Sequence, residues 1–441
     1  MAGLVAPFLE AANRVTSVAV LTHGRTLARM RFTPHESPYP FVGMVPQNIT
    51  EQLLVSELQQ RGGGVEYETT FVSACQERDS VLVKAEHRGT PINFRTAFVV
   101  GCDGAHSAVR HCLNIPFAGG EYADLFLLAD VETNEILPGH ELQLCPSEFG
   151  PVAIFPMSAT RRRIVATVEK PEGDAPSLEL VRRILTQRAP AEIEARSLHW
   201  SSYFRIHHRH VAKLGSGRVF IAGDAAHIHS PFGGQGMNTG LHDVWNLAWK
   251  LDLFLHGHGN QELLDSYSIE RLPVIQGVIE TTDRLTKIMG TSSRLVQLLR
   301  NAFIPVVSRL PPFQHAFVQR LSELGIAYRR SPLIEGTGKR WFEDSMRGGN
   351  GIRGRFLLLI GEDTGPPTRE AAKALCAAVS DIAELRVSRK NHGVTLVRPD
   401  GYVAYSGSEG AAAGNRALQS VRSLLERQTH ARLSFKPMLA S

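Results

Sequence analysis

Two carboxylates in this chain stand where a carboxylate can meet a ligand, each at the end of a short apolar run and inside a glycine turn. The first is Asp224, in Val219-Phe220-Ile221-Ala222-Gly223-Asp224-Ala225-Ala226-His227. The apolar run predicts a strand that delivers Asp224 at its carboxyl end, the side on which open α/β sheets bind ligands. Gly223 and the neighbouring alanines leave the backbone open to close approach. The chain continues through Pro231-Phe232-Gly233-Gly234-Gln235-Gly236-Met237-Asn238-Thr239-Gly240, a glycine loop feeding a helix. A helix start offers free N–H groups and partial positive charge. The pair suits a ligand with hydroxyls for Asp224 and an electron-rich edge for the helix. The second carboxylate is Asp103, in Phe98-Val99-Val100-Gly101-Cys102-Asp103-Gly104-Ala105-His106-Ser107-Ala108-Val109-Arg110. Here a strand ends in a Gly-x-Asp-Gly turn, Ser107 is placed to start a short helix, and Arg110 lies one turn in.

The elements that must position these groups follow from periodicity. A helix is predicted over 236–255, with Met237, Leu241, Val244, Ala248, Leu251 and Leu255 as the stripe that anchors it to a core. Upstream, Val15 to Phe32 reads as a hairpin turning at His23-Gly24-Arg25. Asn48 and Glu51 have the spacing of a helix cap with its reciprocal glutamate, and Gly62-Gly63-Gly64 stops that helix. Strands are predicted over 65–75, 80–86 and 92–100. Residues 121–205 alternate short strands with polar loops, most clearly at 125–131, 141–144, 152–155 and 163–168, with one helix at 178–188. A strand at 218–221 precedes the glycine loop, and helical patterns run to about 324. After a linker at 329–338 comes a compact tail: strands at 356–361, 385–387, 393–397 and 402–406, helices at 369–381 and 417–428, and a hairpin turn at Arg398-Pro399-Asp400-Gly401.

The run 219–240 resembles the second FAD motif of the para-hydroxybenzoate hydroxylase-like flavoproteins, the class A FAD-dependent aromatic hydroxylases. The resemblance implies that Asp224 binds the ribityl chain. It implies that Gly223 lies at the cofactor and that Pro231, Gly233, Gly234, Gly236, Met237 and Asn238 hold the isoalloxazine ring, where the helix dipole stabilises negative charge on reduced flavin. Residues 98–110 resemble the family's Asp-Gly motif, which implies Asp103 near FAD and Arg110 on pyrophosphate or pyridine nucleotide. Gln47 to Leu54 resembles a Gln-x-x-x-Glu-x-x-Leu helix start that brings Gln47 to the ribityl region, with a plain capped helix as the alternative. Leu264-Asp265-Ser266-Tyr267, with Arg271 and Pro273, also matches and is read as structural. The tail at 337–430 resembles the thioredoxin-like domain of phenol hydroxylase-type members. It lacks CxxC, so a structural or dimerisation role is expected.

The family opens with a strand, GxGxxG and a helix that seat ADP. The literal match Gly349-Asn350-Gly351-Ile352-Arg353-Gly354 precedes a strand instead of following one and is read as a loop. Met1-Ala2-Gly3-Leu4 aligns beyond the family's first βαβ unit, so the expectation is an N-terminally truncated chain. The fold class expected is α/β: an FAD-binding Rossmann-like domain without its first βαβ, an inserted β-sheet substrate domain and a C-terminal thioredoxin-like domain. The expected division is 1–120, 121–215, 216–330 and 337–430. The resemblance implies a monooxygenase in which NADPH or NADH reduces FAD, O2 gives a flavin C4a-hydroperoxide, and a phenolic ring attacks its distal oxygen. No residue is assigned as catalytic. Two alternatives stay open: a paralogue or fragment that no longer retains FAD, and a flavin-dependent dehydrogenase or reductase.

Composition adds exclusions. With 43% hydrophobic and 21% charged residues in 441, the chain is ordinary globular protein. Its formal charge of +5 is a weak excess, and no basic run with interleaved aromatics suggests nucleic acid. Five cysteines without a CxxC pair argue against a disulfide framework, a zinc site or a dithiol centre, and for a cytoplasmic location. No signal peptide and no membrane partner is expected, because no apolar stretch of ~18 residues occurs. His207, His208 and His210, with Arg205 and Arg209, are read as a surface basic patch and not as metal ligands. His227 and His229 are read as packing residues. A homodimer is compatible with all of this.

Overall fold

The computed structural model describes residues 4–22, 24–32, 37, 39–134, 139–190, 193–230, 234–289, 294–341, 354–362, 364–389, 393–407 and 411–429. The chain opens with α1 (Val5–Ala11), β1 (Asn13–Val15) and the hairpin β2 (Ser17–Thr22) and β3 (Arg25–Arg31). β4 (Val42–Met44) leads into α2 (Gln47–Gln60). Strands β5 (Thr69–Gln76), β6 (Val81–His87) and β7 (Thr90–Thr96) follow, then β8 (Val99–Gly101) and α3 (Ala108–Cys112). Next come β9 (Ala118–Thr133), β10 (Glu141–Cys145), β11 (Val152–Pro156), β12 (Arg161–Val168), α4 (Leu178–Arg188) and β13 (Ala195–His210). β14 (Gly215–Ser216) and β15 (Val219–Ile221) run into a 3-10 turn (Gly223–Ala225) and β16 (His227–Ile228). Four helices follow: α5 (Gly236–Leu255), α6 (Gln261–Met289), α7 (Arg294–Val307) and α8 (Pro311–Leu321). The tail is β17 (Phe356–Gly361), α9 (Pro366–Ala378), β18 (Ala383–Ser388), β19 (Val394–Val397), β20 (Val403–Gly407) and α10 (Ala411–Gln428).

Three sheets matter to the site. An eight-stranded sheet runs β16-β13-β9-β12-β11-β10-β2-β3; it buries one face against α4 through Leu180, Val181, Ile184 and Leu185. A small sheet, β14-β15-β8, holds β15 parallel to β8 with Val219 opposite Val99. The tail sheet β18-β17-β19-β20 packs against α9 and α10, with Cys376 inside its core. Helix α5 serves two cores: Leu247 belongs to the one around β15, and Trp249 and Leu253 to the tail's.

Three sequence expectations need correction. Asn48 does not cap α2. Pro46 stands at that position, and Glu51 instead accepts from the side chain of Gln47 at 2.9 Å. The helix stop at 62–64 does form, with the Gly63 N–H reaching Leu58 O at 2.9 Å. Second, the histidines at 207, 208 and 210 belong to a strand, β13, that the expected pattern does not contain. They lie in the last turns of the ladder between β13 and β9, opposite Glu121, Gly120 and Ala118. Two register shifts early in β13 and another between Arg205 and His207 break its alternation, which hid a 16-residue strand from a period-two reading.

The third correction concerns α5, whose predicted anchoring stripe faces outward. Met237, Leu241, Val244, Ala248 and Leu255 are exposed, with Leu251 only half-buried. The buried face carries Thr239, Asp243, Asn246 and Lys250 at helical spacing. Polar groups are buried here because α6 supplies partners for Asp243, Asn246 and Lys250, and Glu323 accepts from the Thr239 hydroxyl.

A strand-level prediction arises at Gly119, where φ is +143° and an added Cβ would stand 1.9 Å from the His208 backbone oxygen. Neither atom belongs to a side chain that can rotate away. Gly119→Ala is expected to cost roughly 1–3 kcal/mol, read as a lowered urea midpoint.

Candidate functional site

The site begins where β15 ends. Tyr267 donates to Ile221 O at 3.0 Å, and Ala222 N–H to Gly101 O at 3.0 Å, so the strand end is fixed on both sides. The backbone then turns left-handed at Gly223, with φ +59°. At Gly240 on α5 a Cβ would press to 3.2 Å from Gly223 Cα. The two glycines let the turn and the helix meet. Asp224, next in line, is exposed and has no hydrogen-bond partner among the described residues.

Beneath the turn, Asp243 gathers three donors. Its Oδ2 accepts from Gly223 N–H at 3.1 Å and from His227 Nε2 at 2.7 Å, and its Oδ1 accepts from Arg271 Nε at 2.7 Å. Burial raises the Asp243 carboxyl, but Arg271 and His227 outweigh it and hold it below the ordinary carboxylate range. Arg271 also donates to Thr239 O at 3.1 Å and Tyr328 Oη at 3.2 Å. One buried ion pair therefore ties the Gly223 turn, the first turns of α5 and α6 together.

The Asp-Gly motif is bolted to the same turn. Asp103 is exposed on one side and accepts from Ser107 Oγ and from Val109 N–H at 3.1 Å, while Ser107 caps α3 by accepting from Arg110 N–H at 2.9 Å. Arg110 is buried. It donates to Ala225 O at 2.9 Å and Ala105 O at 2.8 Å, and its guanidinium lies 4.1 Å from the Phe117 ring. As placed, it joins the two motifs and does not point into open space. Gln47 opens α2, exposed and bonded to Glu51, with no hydrogen bond to the Gly223 turn.

Pro231 and Gly233 lie outside the described residues, as does most of the 349–354 glycine run. Gly234 has φ +64°, and Gln235 precedes Gly236 at the start of α5 without capping it by its side chain. The Gln235 side chain thus does not occupy the first-turn N–H groups of Gly236, Met237 and Asn238, and Met237 and Asn238 are exposed. Two cavities lie near the described residues that flank 231–233. Gln235, whose side chain donates to Arg320 O, lines one of about 440 Å³ with Pro273, Val278 and Glu323. Ser230 accepts from Thr286 Oγ1 at 2.9 Å, and Thr286 lines another of about 380 Å³ with Phe126, Phe149 and Pro151 from the large sheet and its loops and Arg188 from α4.

These residues fit FAD: an unpaired carboxylate, a turn without Cβ, and an uncapped helix start lie together at the end of a parallel strand pair. Comparison with known proteins agrees. The family described as FAD binding domain matches residues 1–282, and the chain belongs to it. The flavin-dependent monooxygenase of Mycobacteroides abscessus is 32% identical over 390 residues, 83% of this chain and 75% of that protein. The 6-methylpretetramide 4-monooxygenase of Streptomyces rimosus is 29% identical across 96% of this chain and 84% of its own. Among solved structures, the anhydrotetracycline hydroxylase OxyS of Streptomyces rimosus superposes with a TM-score of 0.76 at 26% identity, covering 97% of this chain and 87% of that one. The protein is an FAD-dependent monooxygenase of the aromatic hydroxylase type.

Sequence reasoning missed Asp243 as the centre of this arrangement. Its signal was present: Thr239, Asp243, Asn246 and Lys250 recur on one helix face, a polar stripe opposite the apolar one.

Proposed function

We propose that this chain hydroxylates a phenolic ring system, with NADPH or NADH as reductant and O2 as oxidant. The relatives' named substrates support that class: a pretetramide, an anhydrotetracycline and, in Sphingobium chlorophenolicum, pentachlorophenol. The observation that carries the reading is the exposed, unpartnered Asp224 on the left-handed turn beside the uncapped start of α5. Asp224 binds ribityl hydroxyls. Gly223, Gly234, Gly236, Met237 and Asn238 present backbone to the flavin ring, together with Pro231 and Gly233. Bound flavin supplies the oxygen-activating chemistry. Asp103 borders the cofactor beside Gly101, and Arg110 acts by holding Ala225. Gln47 approaches the ribityl region from α2. The aromatic wall of the 380 Å³ cavity, with Phe126 stacked on Phe204 at 5.6 Å, receives the substrate. The tail serves structure and a homodimer contact. Five unpaired cysteines suit the reducing cytoplasm.

The test is an FAD titration of the purified chain followed by flavin fluorescence, then O2-dependent NAD(P)H oxidation with phenolic substrates. Asp224→Ala removes hydrogen bonds to a charged acceptor worth about 1.5–3 kcal/mol, so FAD affinity is expected to fall roughly 10- to 150-fold. Unchanged affinity would remove Asp224 from the cofactor site.

A further inference from the structure

Between Arg284 and Ser322 the sequence holds six basic residues (Arg284, Lys287, Arg294, Arg300, Arg309 and Arg320) and no acidic one. That stretch alone exceeds the formal charge of the whole chain, +5. It also contains α7, which packs against β3 with one face only. On that face Arg300 and Ser308 are buried and Ile304 half-buried. On the other, Val296, Leu299, Phe303 and Val306 recur at helical spacing and are all exposed, Phe303 by 61% and the neighbouring Leu298 by 67%, and Leu310 just past the helix end is exposed as well. Four large apolar side chains in line on one exposed helix face, with a fifth beyond its end, are far from the scattered exposure that a soluble surface tolerates.

We propose that α7 and the start of α8 form a docking surface for anionic phospholipid. An amphipathic helix whose apolar face is followed by the exposed cations Arg309 and Arg320 lies in the plane of such a surface, apolar side chains among the acyl chains and cations at the headgroups. Charge decides against a second copy of the chain as the occupant. Symmetric packing would set this patch against itself, facing Arg309 and Arg320 with their own copies and offering no acid to pair them. At 14 residues α7 cannot cross a bilayer, and no helix among the described residues is long and apolar enough to do so. The binding is peripheral, a partner that the sequence reading did not expect. The surface adjoins the cofactor loop, because Thr286, at the end of α6 just before α7, holds Ser230.

Sedimentation with vesicles tests this on the full chain. Vesicles of phosphatidylcholine with phosphatidylglycerol are expected to carry the protein down, those of phosphatidylcholine alone to leave it in solution, and high salt to release it. Leu299→Ser with Phe303→Ser should weaken vesicle binding about tenfold or more, and Arg309→Glu about fivefold or more, with melting temperature unchanged. Equal binding to both vesicle types, binding to neither, or a stable dimer in sedimentation velocity that the double variant dissociates would each overturn the proposal.

Discussion

Glu270→Gln is expected to destabilise the protein by about 3–5 kcal/mol, the cost of breaking a buried ion pair by removing one partner. Glu270 is fully buried on α6 and accepts from Asn246 Nδ2 at 2.7 Å, Lys250 Nζ at 2.9 Å, Arg398 Nη2 at 2.9 Å and the Ser331 hydroxyl. Arg398 also donates to Asp400 through Nε at 3.0 Å, and its guanidinium lies 5.0 Å from Trp249. Two acids and two bases therefore balance in a dry pocket that joins α5, α6 and the tail hairpin. A glutamine cannot balance Lys250 and Arg398, which would share Asp400 alone. Lys250→Met is expected to cost less. Burial pushes its ammonium down to about 8 despite Glu270, so that cation contributes least to the set. Burial raises the Glu270 carboxyl, but Arg398 and Lys250 outweigh it and hold it below its unfolded value of about 4.3. A depressed carboxyl contributes stability that is fully present above the unfolded value and is lost as pH falls through and below it. Urea unfolding followed between neutral pH and pH 3 is expected to show that acid loss in the wild type and a flatter profile in Glu270→Gln. A loss below about 1 kcal/mol on substitution would mean that water reaches the cluster.

The same cluster shows which part of this fold was legible beforehand. Elements with clean periodicity and clear stops were readable to the residue: α4 over 178–188, α5 over 236–255, and β17 over 356–361. The Gly-Asp turn after an apolar strand and the glycine-led start of α5 were also readable, because they leave local marks. What could not be read locally was which face of α5 is inside. An apolar stripe is normally the buried one, and here the polar stripe is buried because its partners lie far along the chain. Glu270 and Arg271 come from α6, and Arg398 from a hairpin turn whose Pro-Asp-Gly composition signals only a turn. Strand β13 was lost for a related reason: register shifts break the alternation on which the reading depends. Long-range pairing decided both cases, and the polar stripe of α5, though visible in the sequence, does not by itself say which face is inside.

Asp243→Asn is expected to lower FAD affinity as far as Asp224→Ala does, by a different route, and comparing the two separates holding the ligand from holding the turn. Asp224 touches nothing described around it, so its loss should leave the stability of the cofactor-free protein within about 0.5 kcal/mol of wild type. Asp243 accepts from Gly223 N–H, His227 and Arg271 at once. An asparagine has one acceptor oxygen where the carboxylate has two, and its amide would meet a donor in place of accepting from one. Either Arg271 is left buried without its counter-ion, or Gly223 and His227 lose their anchor. The expected cost is about 3–5 kcal/mol of stability, and with it goes the left-handed turn that presents Asp224. The measurement is a melting curve without cofactor beside an FAD titration at a temperature where both variants are folded. Asp224→Ala should lose only the second, and Asp243→Asn both. A folded Asp243→Asn that binds FAD as tightly as wild type would mean that the Gly101 and Tyr267 contacts at the end of β15 suffice to set the turn. The carboxylate beneath it would then serve stability alone.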